Sequence, residues 1–350
     1  MSDAAIISEL RRLVGTDFRY ECVGETVVAL FLTSDDDIFQ GLIRHHTATE
    51  KHEILCLIAK LTSLRVLDLR RCMVYQLPSA LSALLELQHL DLGSNFLGEV
   101  PEWISRFRHL EYLNLAVNKL QRLPPSFSAL QQLRTLLVHK NEISIFPVEY
   151  AAFQQLDYLN LYLNQMRTIP DCVWSYRSLR TFSWGLSSVK SIPDEIANLK
   201  QLRYLTFVGN KIRDLPDAFC ELENLVATRL HKNQLESIPE RISQLSKLEQ
   251  ITLYQNNLRE LPTSMRSLAR LQKLNIAWNK FERYPDWLEE LPALSWFAVF
   301  QNPCAYPAQG LAKVREVIRE RPFNARHTKF ADSVTEEKFG PELIRRGSFV

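Results

Sequence analysis

The chain has 350 residues, a net charge of +2 and 46% apolar residues, with six scattered cysteines. That balance is ordinary for a folded protein with a large core. It gives no bulk charge for gripping nucleic acid or an anionic membrane.

The first segment, MSDAAIISELRRLV, lacks the basic, apolar, small-residue order of a signal peptide. No run reaches the length of a membrane helix. With neither CxxC pairs nor an N-x-S/T sequon, these features lead us to expect a cytoplasmic protein, though unconventional export stays open. Ile6, Ile7, Leu10, Leu13 and Val14 predict an amphipathic helix, followed by a hairpin in YECVGETVVALFL turning at Gly24-Glu25. DDIFQGLI and EILCLIAKL read as further helix. His45, His46, His52 and Glu53 match no tight metal-ligand spacing and read as solvated surface.

From residue 61 the sequence is periodic. In rows of 23, one column holds Leu64, Leu87, Leu110, Leu133 and so on to Leu294, eleven leucines without a gap. Apolar columns follow three and five residues on, then an asparagine column running from Asn95 to Asn302, and a proline column from Pro78 to Pro285. The asparagine column breaks at Cys72 in row one and at Ser187 in row six, where Trp184 also replaces a leucine. The row reads LxxLxxLxLxxNxLxxLPxxLxxL.

This pattern resembles the leucine-rich repeat family in its 23-residue form, over residues 61–306. The resemblance implies an α/β fold: a curved solenoid of about eleven rows, with parallel strands on the concave face. One row alone buries too little apolar surface to offset the entropy of ordering it, so each must stack on its neighbours. The asparagine amides are expected to satisfy backbone groups of adjacent rows at the turn. An open solenoid also needs its ends covered. Residues 1–60 fit an N-terminal cap and 307–322 (GLAKVREVIRER within it) a C-terminal capping helix. The polar tail 323–350 ends in RRGSFV, which resembles a basophilic kinase site and a PDZ ligand.

In the strand xLxLxx the x positions are free of packing duty. The column after the second strand leucine reads Gly93, Ala116, His139, Tyr162, then Gly185, Val208, His231, Tyr254 and, after Ala277, Phe300. A four-row unit is used twice. Tyr112, Tyr158, Tyr204 and Trp296 precede the first strand leucine, and Trp278 lies beyond the second. Large aromatics on one surface are the composition of a binding hot spot. Arg229, Lys140 and Lys232 share that face, with Arg70, Arg71 and Lys273. Six basic residues against two acidic ones, Asp68 and Asp91, imply a partner with an acidic surface.

The tripeptide HKN at 139–141 recurs at 231–233, but four strand spacings of about 4.8 Å hold the histidines roughly 20 Å apart. A catalytic pair must meet within hydrogen-bond reach. No P-loop, GxSxG or HExxH occurs, so neither an enzyme nor a cofactor or metal is expected. The expected function is protein binding through the concave face. Single-stranded nucleic-acid binding on the same aromatic and basic residues, or a spacer without ligand, are the alternatives.

Overall fold

The computed structural model describes residues 1–33, 42–283, 285–304 and, as backbone alone, 316–318. Helix α1 (Asp3–Val14) buries Ile6, Ile7 and Leu10. Strands β1 (Arg19–Val23) and β2 (Thr26–Phe31) form the antiparallel hairpin, its turn made possible by Gly24 at φ 62°. Helix α2 (Ala48–Ile58) starts on a reciprocal cap between Thr47 and Glu50. Most of DDIFQGLI lies outside the described residues; Leu42 and Ile43 at its end are turn, not helix.

Eleven parallel strands come next, one per row. They are β3 (Val66–Asp68), β4 (His89–Asp91), β5 (Tyr112–Asn114), β6 (Thr135–Leu137), β7 (Tyr158–Asn160), β8 (Thr181–Gly185), β9 (Tyr204–Val208), β10 (Ala227–Arg229), β11 (Gln250–Thr252), β12 (Lys273–Asn275) and β13 (Trp296–Ala298). With β14 (Glu316–Ile318) they make a single sheet in chain order. Every pairing within the array is in register at 23 residues: Leu90 faces Leu113, which faces Leu136. The β2 strand joins the sheet beside β3, pairing Leu30 with Leu67. Buried Lys51 of α2 donates from Nζ to the carbonyls of Arg44 and Met73, tying the first helices to row one.

Opposite the strands, each proline of the column caps a five-residue 3-10 helix, from Ser79–Ala83 to Asp286–Glu290. Proline suits this place because its fixed φ leads into the turn and its missing N–H leaves no donor unpaired. Each helix drops an apolar side chain inward, such as Ile104, Phe127 or Phe219. One continuous core runs between the two layers. Within the capping helix expected over 307–322, residues 316–318 are instead strand, pairing Phe297 with Val317. The parallel edge of β13 needs hydrogen-bond partners, and this strand supplies them. The rest of that segment and the tail with RRGSFV lie outside the described residues.

The residue ahead of the asparagine column is left-handed in every row: Arg71, Ser94, Val117, Lys140, Leu163, Leu186, Gly209, Lys232, Gln255, Trp278 and Gln301, with φ between 52° and 66°. Ten of these eleven are not glycine, so each carries a steric cost of roughly 1–2 kcal/mol. The turn persists because the asparagine after it offsets that cost. Asn141 donates from Nδ2 to the carbonyls of Leu115 and Val138, at 2.9 Å each, and its Oδ1 accepts from Leu120 N–H at 3.0 Å. Asn95, Asn118, Asn233, Asn256 and Asn279 repeat the arrangement. Cys72 approximates it with long sulfur contacts to Leu32 and Arg70 carbonyls.

Row six departs. Ser187 makes a single bond, donating from its hydroxyl to Met166 O of the preceding row at 2.8 Å. Asn210 in the next row is left with its Oδ1 buried and without a partner. In compensation β8 and β9 run to five residues, adding the pairs Trp184–Phe207 and Gly185–Val208. Asn141→Ala should strand two buried carbonyls and an N–H, lowering unfolding free energy by about 3 kcal/mol in urea denaturation. Ser187→Ala, which removes one bond, should cost about 1 kcal/mol in the same measurement.

Candidate functional site

Alternation along each strand sends one set of side chains into the core and the other onto the sheet's open face. The tyrosines of that face are the first residues of their strands. Tyr112, Tyr158 and Tyr204 alternate in register with Thr135 and Thr181. Each threonine stands between two tyrosines and is buried, while the tyrosines are half-buried. Trp296 holds the same position in β13 and is half-buried. Rings and β-branched side chains one strand apart pack in this way, so part of each ring serves its neighbours.

The next column lies two residues beyond the short strands. His231 stacks on Tyr254 with ring centroids 4.3 Å apart and planes 15° from parallel. The stack leaves His231 only 7% exposed, so it does not face outward as the sequence implied. His139 is half-buried. Nδ1 of each histidine is buried without a hydrogen-bond partner. Burial, reinforced by Lys140, brings His139 down to about 4; burial, with Arg229 and Lys232, brings His231 down to about 3. Both rings are therefore neutral near pH 7. Tyr162 lies over Gly185, where an added Cβ would sit 2.7 Å from the ring and 2.4 Å from Val208 O. Only glycine fits there.

Lys140 and Lys232 are exposed, and Trp278 is 38% exposed. Arg229, at the end of β10, and Phe300 are half-buried. His139 and His231 are separated by β7, β8 and β9, so the two HKN segments do not share a site. Asn141 and Asn233 belong to the turn ladder. Among the described residues no group of three His, Cys, Asp or Glu side chains is placed to hold a metal, and His46 is engaged with Leu13 O at 2.9 Å.

Asp68 and Asp91 are not exposed acids: they are 1% and 3% exposed. Each accepts the backbone N–H two residues ahead, from Arg70 at 3.0 Å and Gly93 at 2.9 Å, which holds the chain as it enters the turn. Arg70 closes a bidentate pair over Asp68, with its Nη2 at 2.6 Å, and reaches Asp91 at 3.5 Å. Asn114 donates to Asp91 at 3.0 Å, and Tyr112, stacked on His89 at 3.9 Å, sits within 3.5 Å of it. Burial first, then the charge of Asp68, pushes Asp91 above the usual carboxylate range. Spacing alone could not reveal this, because Asp68 and Asp91 occupy a column in which Asn114, Asn160 and Asn275 play the same backbone-capping part.

Stability depends on pH through these histidines. His89, like His139, is held by burial at about 4. Unfolded, all three histidines would take protons near their ordinary value of about 6.5. The unfolded chain then binds more protons than the fold, so stability falls as pH drops from about 6.5 towards 4. Asp91, raised rather than lowered, works in the opposite direction, but three histidines outweigh it. Thermal unfolding should give a Tm several degrees lower at about pH 4.5 than at pH 7. His139→Gln with His231→Gln should flatten that difference.

Comparison with known proteins returns the same architecture. A family model described as a leucine-rich repeat region matches residues 43–183, and another described as leucine rich repeat matches 229–281. A leucine-rich repeat protein of Leptospira interrogans is 26% identical, over 75% of this chain and 74% of that one, with a TM-score of 0.68. An internalin of Listeria monocytogenes is 17% identical over 91% and 96%, with a TM-score of 0.70. A plant peptide hormone receptor, solved in complex with RGF2, is 23% identical over 71% of this chain and 45% of its own, at 0.56. No curated protein matches.

Proposed function

We propose that this chain, a leucine-rich repeat protein, is a recognition module that binds another protein on the strand face of its array. The observation that carries the reading is the concentration of half-buried aromatics and exposed lysines on one side of an in-register sheet. Tyr112, Tyr158, Tyr162, Tyr204, Tyr254, Trp278, Trp296 and Phe300 stand there, with His139, His231, Lys140, Arg229 and Lys232 between them. Rings already braced by neighbours lose little freedom on binding, so more of their contact energy goes to affinity. The repeat fold is a common protein-binding scaffold, and among its structural relatives is a receptor solved in complex with RGF2.

The charge pattern supports a partner with an acidic surface. Asp68 and Asp91 are buried beneath Arg70, while Lys140 and Lys232 are exposed. Such charges steer encounter and orientation more than they deepen affinity. Neutral histidines and a near-balanced total charge disfavour a nucleic-acid surface, which relies on many phosphate contacts. No described helix is long and apolar enough to cross a membrane.

Tyr162→Ala with Tyr254→Ala should weaken a partner captured from the native host, once identified and titrated by calorimetry, by about tenfold or more. The double variant should lose about 1–2 kcal/mol of stability, since Tyr254 stacks on His231 and Tyr162 covers Gly185. Tyr75→Ala, at an exposed aromatic between β3 and the proline of row one, should leave affinity unchanged. Equal affinity for all three proteins would place the interface elsewhere.

A further inference from the structure

The strand face carries the same patch twice. His139 and Lys140 in row four precede Tyr162 in row five; His231 and Lys232 in row eight precede Tyr254 in row nine. At both places the backbone is the one shared by the rows of the array. Lys140 and Lys232 are both left-handed, at φ 55° and 57°, and their N–H groups donate to Tyr162 O and Tyr254 O at 2.9 and 3.0 Å. Each patch is closed on its far side by a small residue, Gly185 or Ala277. Both lysines are exposed, and neither has an ion pair among the described residues.

Four strand spacings separate the patches, from β6 to β10, with β7, β8 and β9 between them. At about 4.8 Å per strand the lysines stand about 19 Å apart along one column. An extended chain rises about 3.3 Å per residue and covers that distance in about six. Between the lysines the column holds Leu163, Leu186 and Gly209, with Leu186 44% exposed and leaning over Gly209. This floor is apolar, and it ends in a positive charge at each side.

We propose that the two patches are equivalent subsites for one extended acidic segment of the partner, with two carboxylate side chains about six residues apart, one on Lys140 and one on Lys232, and apolar residues between them. The assignment rests on the reading of the strand face as the binding surface. Such a segment crosses the strands along the axis of the stack. Once its first carboxylate is seated, the second binds as an intramolecular event, so the pair exceeds either alone only when the spacing fits.

The test uses the full chain and fluorescein-labelled synthetic peptides bearing two glutamates, about three, six or nine residues apart, on a Leu/Ala background, followed by fluorescence anisotropy. The six-residue spacing should bind roughly tenfold tighter than the other two. Lys232→Met should reduce it to the level of a peptide with one glutamate, and Lys140→Met with Lys232→Met should abolish the dependence on spacing. As exposed residues without ion pairs among the described residues, these lysines can be replaced without unfolding the chain, which an unchanged Tm verifies. Binding without a spacing optimum, or an optimum untouched by the lysine substitutions, overturns the two-subsite assignment. So does displacement of the peptide by single-stranded RNA with a steep salt slope, which would make the face a nucleic-acid surface. If no peptide binds while the identified partner still depends on Tyr162 and Tyr254, the acidic segment is wrong and the strand-face reading stands. If the partner ignores Tyr162 and Tyr254, that broader reading fails first.

Discussion

The left-handed residue that closes the turn after the strand in every row is the constraint on which the molecule depends. A chain must leave the sheet abruptly to fit a 23-residue row, and one residue with positive φ makes that corner. The corner turns carbonyls such as Leu115 O and Val138 O into the core, where water cannot reach them. An asparagine side chain is long enough to take one carbonyl from its own row and one from the row before, while its oxygen accepts an N–H. The same amide therefore solves a local problem and welds adjacent rows. Leucines alone would give a greasy stack without a fixed offset. The ladder of amides sets the offset, and the in-register sheet results.

Row six reveals how much the ladder contributes, because there it is interrupted. Ser187 reaches one carbonyl, and Asn210 loses its acceptor's partner. The sheet answers by lengthening β8 and β9 across the same gap, and Trp184 fills the space of a leucine. Two solutions to one backbone problem thus coexist in a single array. The unusual row also opens the second use of the four-row motif at Gly185.

The sequence made the architecture readable because its information is periodic. Leu64 to Leu294, the asparagines and the prolines each repeat the same instruction, so one odd residue cannot obscure it. The hairpin at Gly24-Glu25 and the helix through EILCLIAKL were legible from local pattern. The features that stayed hidden depend on neighbours 23 residues away. Asp68 and Asp91 looked like surface charges until Arg70 and the backbone turn closed over them. Thr135 and Thr181 are buried only because tyrosines flank them in the adjacent strands. His231 looked exposed because nothing in its own row covers it; the ring of Tyr254 does. The left-handed column has no signature of its own, since Ser, Val, Lys, Leu, Gln, Trp and Gly all occupy it. The strand at 316–318 answers an unpaired edge, a demand no helical periodicity records.

Because Leu113 meets Leu90 on one side and Leu136 on the other, residue number acts as an address. A whole row copied or deleted by recombination would present the same asparagine, proline and leucines to both neighbours. The interior would accept it without new chemistry, while the open face would shift by one strand width. Heredity can therefore retune the reach of such a surface in steps of 23 codons, long before any single substitution has to invent a contact.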